Sequence, residues 1–242
     1  MSGHSKWSQI RRQKEKADIK KGLTFTKLTS AIIIAVKKGG GITDPNQNFR
    51  LRLAIDAARA LNMPKENIER AIQRAAKKEG GDIEEVIYEG FAPFGVSVII
   101  EAATDNPQRT TAKIKSIFNK AGASFGQPGS VSYQFNQLGK ITVGKNGKTY
   151  DEIFSIAVEN GAEDVDEEDD NIVVFTKAKE LSKMRDKLIK AGFKILDAGL
   201  LRKSTITTEI TDPGQLSKLK NFLDTISSLE DVQNVYSNLR KL

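Results

Sequence analysis

The sequence predicts an α+β protein: a basic N-terminal three-helix bundle, then a ferredoxin-like α+β domain that carries a second, inserted α+β domain. Three observations predict it. Up to residue 78, apolar residues recur at three- and four-residue spacing, and 18 Lys and Arg stand against six Asp and Glu. After Gly80-Gly81 the pattern changes to short β-branched and aromatic runs. Two strand–helix–strand stretches, 81–138 and 202–242, then flank a segment, 139–201, that itself reads β-α-β-β-α-β.

Residues 1–22 read as a basic arm, dense in charge and poor in apolar residues, of the kind that orders on a partner. Trp7 lies among Lys6, Arg11 and Arg12. It either stacks a base while the cations hold phosphates or pins the arm to the core of the bundle.

The bundle occupies 23–80. In its first helix Phe25, Leu28, Ile32, Ala35 and Val36 share a face. Lys37 and Lys38 complement the dipole of the last turn, and Gly39 to Gly41 stop the helix. No GK[ST] follows these glycines, so they do not form a phosphate loop. The second helix places Phe49, Leu51, Leu53, Ala54, Ala57, Ala58 and Leu61 inward, with Arg50, Arg52 and Arg59 around them. Pro64 and Glu66 open the third, whose inner stripe is Ile68, Ala71, Ile72 and Ala75. Arg70, Arg74, Lys77 and Lys78 lie on its outside and tail. Guanidinium forks on such a face match phosphate oxygens.

In the body, VIYEGFAP and GVSVIIEAATD are β-rich, NPQRTTAKIKSIFNKAG is helical, and GSVSYQFNQ alternates Val131, Tyr133 and Phe135 as a half-buried strand. The complementary half is a strand TITTEITD, a helix PGQLSKLKNFLDTISSLE and a strand VQNVYSNL. Insertion of 139–201 between the halves is tolerated where the ends of the insert lie close together. The run EDVDEEDD at 163–170 fails the EF-hand pattern and reads as a solvated hairpin tip.

From residue 79 on, 20 Lys and Arg meet 25 Asp and Glu, so a net charge of +7 conceals a basic head on a mildly acidic body. That asymmetry points to a polyanion touched by one end, nucleic acid, and charge does not separate DNA from ribosomal RNA. No apolar run reaches the ~18–20 residues that span a bilayer. The basic start has no apolar core segment of a secretory signal, and Glu15 and Asp18 argue against a mitochondrial presequence. A cytoplasmic, monomeric protein is the default expectation.

Cysteine is absent and His4 is the only histidine, which removes disulfides, thiolate sites and His-based dyads. No cofactor, metal site or catalytic residue is expected. The one constellation with catalytic potential is TDNPQRT, with Asp105, Asn106 and Arg109 at a strand end. Phosphoryl transfer there needs a second carboxylate to hold paired Mg²⁺. Otherwise Asn106 caps the helix and Asp105 turns the chain.

Several motifs in order resemble the YebC family, also called the mitochondrial translational activator of cytochrome oxidase family. They are GHSKW at Gly3–Trp7, FTKL at Phe25–Leu28, GGG at 39–41 and RLRLAIDAARALNMPKENIERAI at 50–72. YEGFAPFGVSVIIEAATDNPQRT at 88–110 and GSVSYQF at 129–135 are similar to its second-domain signatures. The resemblance covers essentially the whole chain. It implies a cytoplasmic three-domain protein without known catalysis. Bacterial members are labelled probable transcriptional regulators that bind DNA, and some are linked to ribosomes stalled on proline runs; organellar members activate translation. Carried over, the binding candidates are Lys6, Trp7, Arg11, Arg12, Lys27, Arg50, Arg52, Arg70 and Arg74. Leu23-Thr24 departs from the pattern where a basic residue is expected, which weakens a phosphate contact near residue 24, and Lys65-Glu66 stands where Asp is common.

The function that follows is a non-enzymatic, nucleic-acid-binding regulator of gene expression. Its alternatives are a ribosome-associated translational activator, a protein-interaction adaptor using the sheet face, and a metal-dependent phosphotransfer enzyme at Asp105.

Overall fold

The computed structural model describes the backbone of residues 3–77, 83–168 and 170–240, and side chains from residue 21 onward within those spans. The fold is α+β: three N-terminal helices, then two four-stranded sheets with helices.

The helices are α1 (Gly3–Lys38), α2 (Phe49–Ala60) and α3 (Lys65–Lys77). The α1 helix crosses residue 22, the expected arm boundary, without a break. Ile32, Ile33, Ala35 and Val36 of α1, Leu51, Ile55 and Ala58 of α2, and Ile68, Ala71 and Ala75 of α3 form one buried cluster with Met63. Small Ala faces let the helices approach closely, and α1 packs against both α2 and α3.

The turn from α1 to α2 is built around Asn48. Its Oδ1 accepts from Leu51 N at 3.0 Å and caps α2, while its Nδ2 donates to the carbonyls of Ala35 and Ile42 at 2.9 and 3.0 Å. A Cβ on Gly39 would lie 2.1 Å from that Nδ2, and Gly40 and Gly41 have φ of +71° and +83°. The three glycines therefore stop the helix for two reasons, close approach and left-handed backbone.

The first sheet contains β1 (Glu84–Phe91), β2 (Ser97–Thr104), β3 (Ser124–Phe125) and β8 (Val232–Ser237), in the order β3-β1-β2-β8. Helices α4 (Pro107–Lys120) and α7 (Pro213–Ser227) accompany it, with Phe118 edge-on to Phe222 at 5.1 Å. The second sheet contains β4 (Phe135–Gly144), β5 (Asp164–Glu168), β6 (Asn171–Lys177) and β7 (Lys194–Ser204), in the order β5-β6-β4-β7, with helices α5 (Tyr150–Glu159) and α6 (Leu181–Lys190). Every pair in this sheet is antiparallel. A β-α-β-β-α-β chain with that strand order is the ferredoxin-like topology. Pairing from Phe135↔Ser204 to Gly144↔Lys194, with one register shift between Thr142 and Val143, carries the sheet beyond both ends of the expected insert, 139–201.

One predicted strand starts late, at Phe135, and another does not form. In GSVSYQF, residues Ser132–Gln134 form a 3-10 turn, so Tyr133 faces solvent while Val131, Gln134 and Phe135 are buried. The cause is Glu89: one carboxylate oxygen accepts from Gly129 N and the other from Val131 N and Ser132 N, all at 2.8 Å. Three backbone donors converging on one group bend the chain. TITTEITD makes a single bridge, Thr208 to Leu239. Beside it β8 stops at Ser237, so no run of partner backbone is available for a ladder.

The acidic hairpin of β5 and β6 is largely paired. Lys203 meets Asp164 at 2.7 Å and Asp166 at 3.7 Å, Lys140 meets Glu168 at 3.3 Å, and Lys145 pairs with Glu167.

By compactness the chain forms two units. One comprises residues 1–87, 100–120 and 220–235; the other comprises 88–99, 121–219 and 236–242. The first holds the helical cluster. The second holds the β4–β7 sheet and a smaller cluster of Ile99, Val131 and Phe135 against Phe91 and Tyr236.

Candidate nucleic-acid interface

The nine expected binding residues divide into three groups. Lys6, Trp7, Arg11 and Arg12 lie on the helical stretch of α1 whose side chains fall outside the described residues. Lys27, Arg50 and Arg52 are engaged by the protein itself. The Lys27 ammonium donates to Ser227 O at 2.6 Å, and burial lowers its pKa. Arg52 donates from Nε to Pro45 O at 3.0 Å and from Nη2 to Asn46 O at 3.2 Å, bracing the loop before α2. Arg50 meets Glu85 at 3.1 Å, and both side chains are partly exposed.

Arg70 and Arg74 are different. They lie on α3 with Lys77 at i, i+4 and i+7, which places all three on one face. All three are exposed, and none has a side-chain hydrogen bond or ion pair among the described residues. The opposite face, Ile68, Ala71 and Ala75, is buried. The helix amphipathicity that builds the bundle thus turns the cations outward.

Arg74 also lines a half-open groove of about 620 Å³. Thr26, Thr29 and Ser30 of α1 form one part of its wall. Arg109 and Lys113, one turn apart on α4, form another, and Asp105, Glu230 and Asp231 complete its charged lining. Lys113 escaped the sequence reading because it sits in the acidic part of the chain; its i+4 spacing from Arg109 was the available signal.

The constellation at Asp105 contains a residue the sequence did not reveal. The Arg109 Nη2 lies 2.8 Å from Asp105 Oδ1 and 3.2 Å from Asp231 Oδ1. Thr110 Oγ1 donates to Asp231 Oδ2 at 2.7 Å and lies 2.9 Å from Thr104 Oγ1. The hydrogen bond to Asp105, followed by the charge of Asp231, raises the Arg109 pKa. The second carboxylate is therefore present, and the cation both carboxylates hold is a guanidinium. Asn106 Oδ1 accepts from Arg109 N at 3.0 Å and caps α4. Among the described residues no group of three or more His, Cys, Asp or Glu is arranged to hold a metal ion. Nor is any described helix long and apolar enough to cross a membrane.

Comparison with known proteins adds three findings. Residues 5–78 match the model of the TACO1/YebC protein N-terminal domain, and residues 83–239 match that of the TACO1/YebC second and third domain. A probable transcriptional regulatory protein of Roseiflexus castenholzii is 46% identical over 246 residues, covering 99% of this chain and 95% of the relative. One from Sulfurihydrogenibium is 47% identical over 240 residues, covering 98% and 95%. The crystal structure of a conserved hypothetical protein of Aquifex aeolicus superposes with a TM-score of 0.83 at 40% identity, covering 90% of each chain. With both parts of the chain matched in order and full-length relatives well above 40% identity, this protein is a member of the TACO1/YebC family.

Proposed function

We propose that this protein is a non-enzymatic regulator of gene expression that binds nucleic acid through its helical bundle. The observation that carries the reading is the exposed Arg70–Arg74–Lys77 stripe on α3, which has no side-chain partner among the described residues. Arginines held at fixed spacing on a rigid helix donate from their forks to phosphate oxygens without first breaking internal pairs. Arg50 of α2 is released at small cost: a pair as exposed as Arg50–Glu85 is worth about 0.2–1 kcal/mol, so a polyanion competes with Glu85. Arg52 and Lys27 hold loop and helix carbonyls and act in the fold. The regulator names of the relatives support the same reading.

Such contacts position a protein on a phosphate chain without reading bases, so duplex DNA and structured RNA are both substrates for them. Titrating the full chain with duplex DNA, and separately with ribosomes, across a salt series tests the proposal. Tight binding at low salt that falls steeply with salt, and weakens when Arg70 and Arg74 are changed to Glu, is the expected result. Stronger retention on ribosomes than on DNA at physiological salt assigns the activity to translation. Equal affinity of the wild type and the reversed variant removes the proposal.

A further inference from the structure

The groove that Arg74 lines carries charges of both signs, and half of them are already engaged. Every residue lining it belongs to the first compact unit. Its volume of about 620 Å³ lies within the ~300–1,000 Å³ range of ligand clefts. Arg109 is held by Asp105 at 2.8 Å and by Asp231 at 3.2 Å, and Thr110 Oγ1 donates to Asp231 as well. The other charged groups of the lining are Arg74 of α3, Lys113 of α4 and Glu230 of the turn before β8. All three are exposed, and none has a side-chain hydrogen bond or ion pair among the described residues.

Two cations on separate helices thus share one concave surface without a protein partner for either. Like charges brought together repel, and a phosphate that both can reach relieves the repulsion. Arg74 is at the same time a member of the Arg70–Arg74–Lys77 stripe, so a strand held on α3 leads to the groove. A cleft of this size admits one strand and not a duplex. Glu230 decides the kind of strand. A DNA backbone presents only acceptors, phosphate and ether oxygens, and a lone carboxylate beside it repels. A ribose brings a 2′-hydroxyl, which donates to a carboxylate oxygen. A lining of two unpaired cations and one unpaired acceptor therefore matches a ribose-phosphate better than a bare phosphate or a deoxyribose.

We propose that this groove binds a ribose-phosphate unit of a single RNA strand, with Arg74 and Lys113 on the phosphate and Glu230 accepting from the 2′-hydroxyl. The inference rests on the nucleic-acid reading above. It adds a preference for RNA over DNA, and it adds two residues outside the helical bundle, Lys113 and Glu230.

The experiment titrates the full chain with a fluorescein-labelled uridine RNA of about 12 nucleotides, its deoxyuridine counterpart and its 2′-O-methyl counterpart, read by anisotropy across a salt series. The wild type should bind the RNA about tenfold more tightly than the other two, the effect of one hydrogen bond to a charged group. Glu230→Ala should bring the three strands to near-equal affinity, and should bind the deoxyuridine strand more tightly than the wild type does. Glu230→Gln keeps an acceptor oxygen and should retain part of the preference. Lys113→Ala should weaken all three alike and make the salt slope shallower by about 0.7, the loss of one single-strand phosphate contact. Both Ala variants should melt as the wild type does, because the side chains removed are exposed and unpaired, which separates lost binding from lost fold. An RNA preference unchanged in Glu230→Ala overturns the inference. So does equal wild-type affinity for the three strands, or a slope unmoved by Lys113→Ala. In each of these cases a slope that Arg70→Glu/Arg74→Glu still flattens leaves the nucleic-acid reading standing. If none of the three strands binds at low salt, the inference alone falls where duplex DNA is bound, and both readings fall where it is not.

Discussion

Replacing Glu89 by Gln tests the turn that orients Tyr133. Glu89 is 6% exposed and its carboxylate accepts three backbone N–H bonds, one at Oε1 and two at Oε2. A Gln amide can keep its oxygen on Val131 N and Ser132 N. Its NH₂ must then face the Gly129 N–H, so one charge-assisted bond is lost and a donor meets a donor. Hydrogen bonds to charged groups contribute about 1.5–3 kcal/mol, and the one lost is that from the exposed Gly129. A loss of about 2–3 kcal/mol follows, which for a chain of this size is roughly 4–12 °C in melting temperature. The pH dependence supplies a second signature. Burial opposes the charge on Glu89, but the bonds from Gly129, Val131 and Ser132 together outweigh it and hold the carboxyl below its ordinary 4.5. A depressed folded value means the contribution is complete above 4.5 and is lost as pH falls through the lower folded value. Scanning calorimetry of the wild type and the Gln variant should therefore show a constant gap from pH 5 to 7 that closes as the pH falls below 4.5 through the lowered folded value. A gap under 1 °C at neutral pH, or one that persists unchanged in acid, refutes the reasoning.

Other outcomes follow from single contacts. Gly39→Ala would drive a methyl into Asn48 Nδ2 and should lower stability by more than the ~1 kcal/mol ordinarily gained from Gly to Ala in a helix, with the loss read by thermal melting. Phe118→Ala empties a fully buried site against Phe222 and should cost about 3–5 kcal/mol by denaturant titration. Arg50→Ala removes an exposed pair, so stability should change by less than about 1 kcal/mol while nucleic-acid affinity falls.

Much of the fold was legible because it is written in local pattern. The three- and four-residue spacing around Ile32, Ile68 and Ala71 located the bundle, and alternation with helix signals located the β4–β7 sheet. What escaped depended on distant partners. Val131, Tyr133 and Phe135 alternate like a strand, but Glu89 bends the chain before Phe135 from about 40 residues away. TITTEITD has strand composition without a continuous neighbour. At the candidate site the limit was the same. Outward cations on α3 followed from helix periodicity, whereas the engagement of Arg50 by Glu85, of Lys27 by Ser227 and of Asp231 by Arg109 belongs to tertiary structure. Charge counting finds the basic region; only packing tells which cations remain available.

The most direct test of the nucleic-acid surface is the salt dependence of binding before and after Arg70→Glu/Arg74→Glu. With about six phosphate contacts the wild type should show a log–log slope near −5, and loss of two should make it shallower by about 2. An unchanged slope and affinity in the reversed variant would contradict the assignment of phosphate contacts to α3.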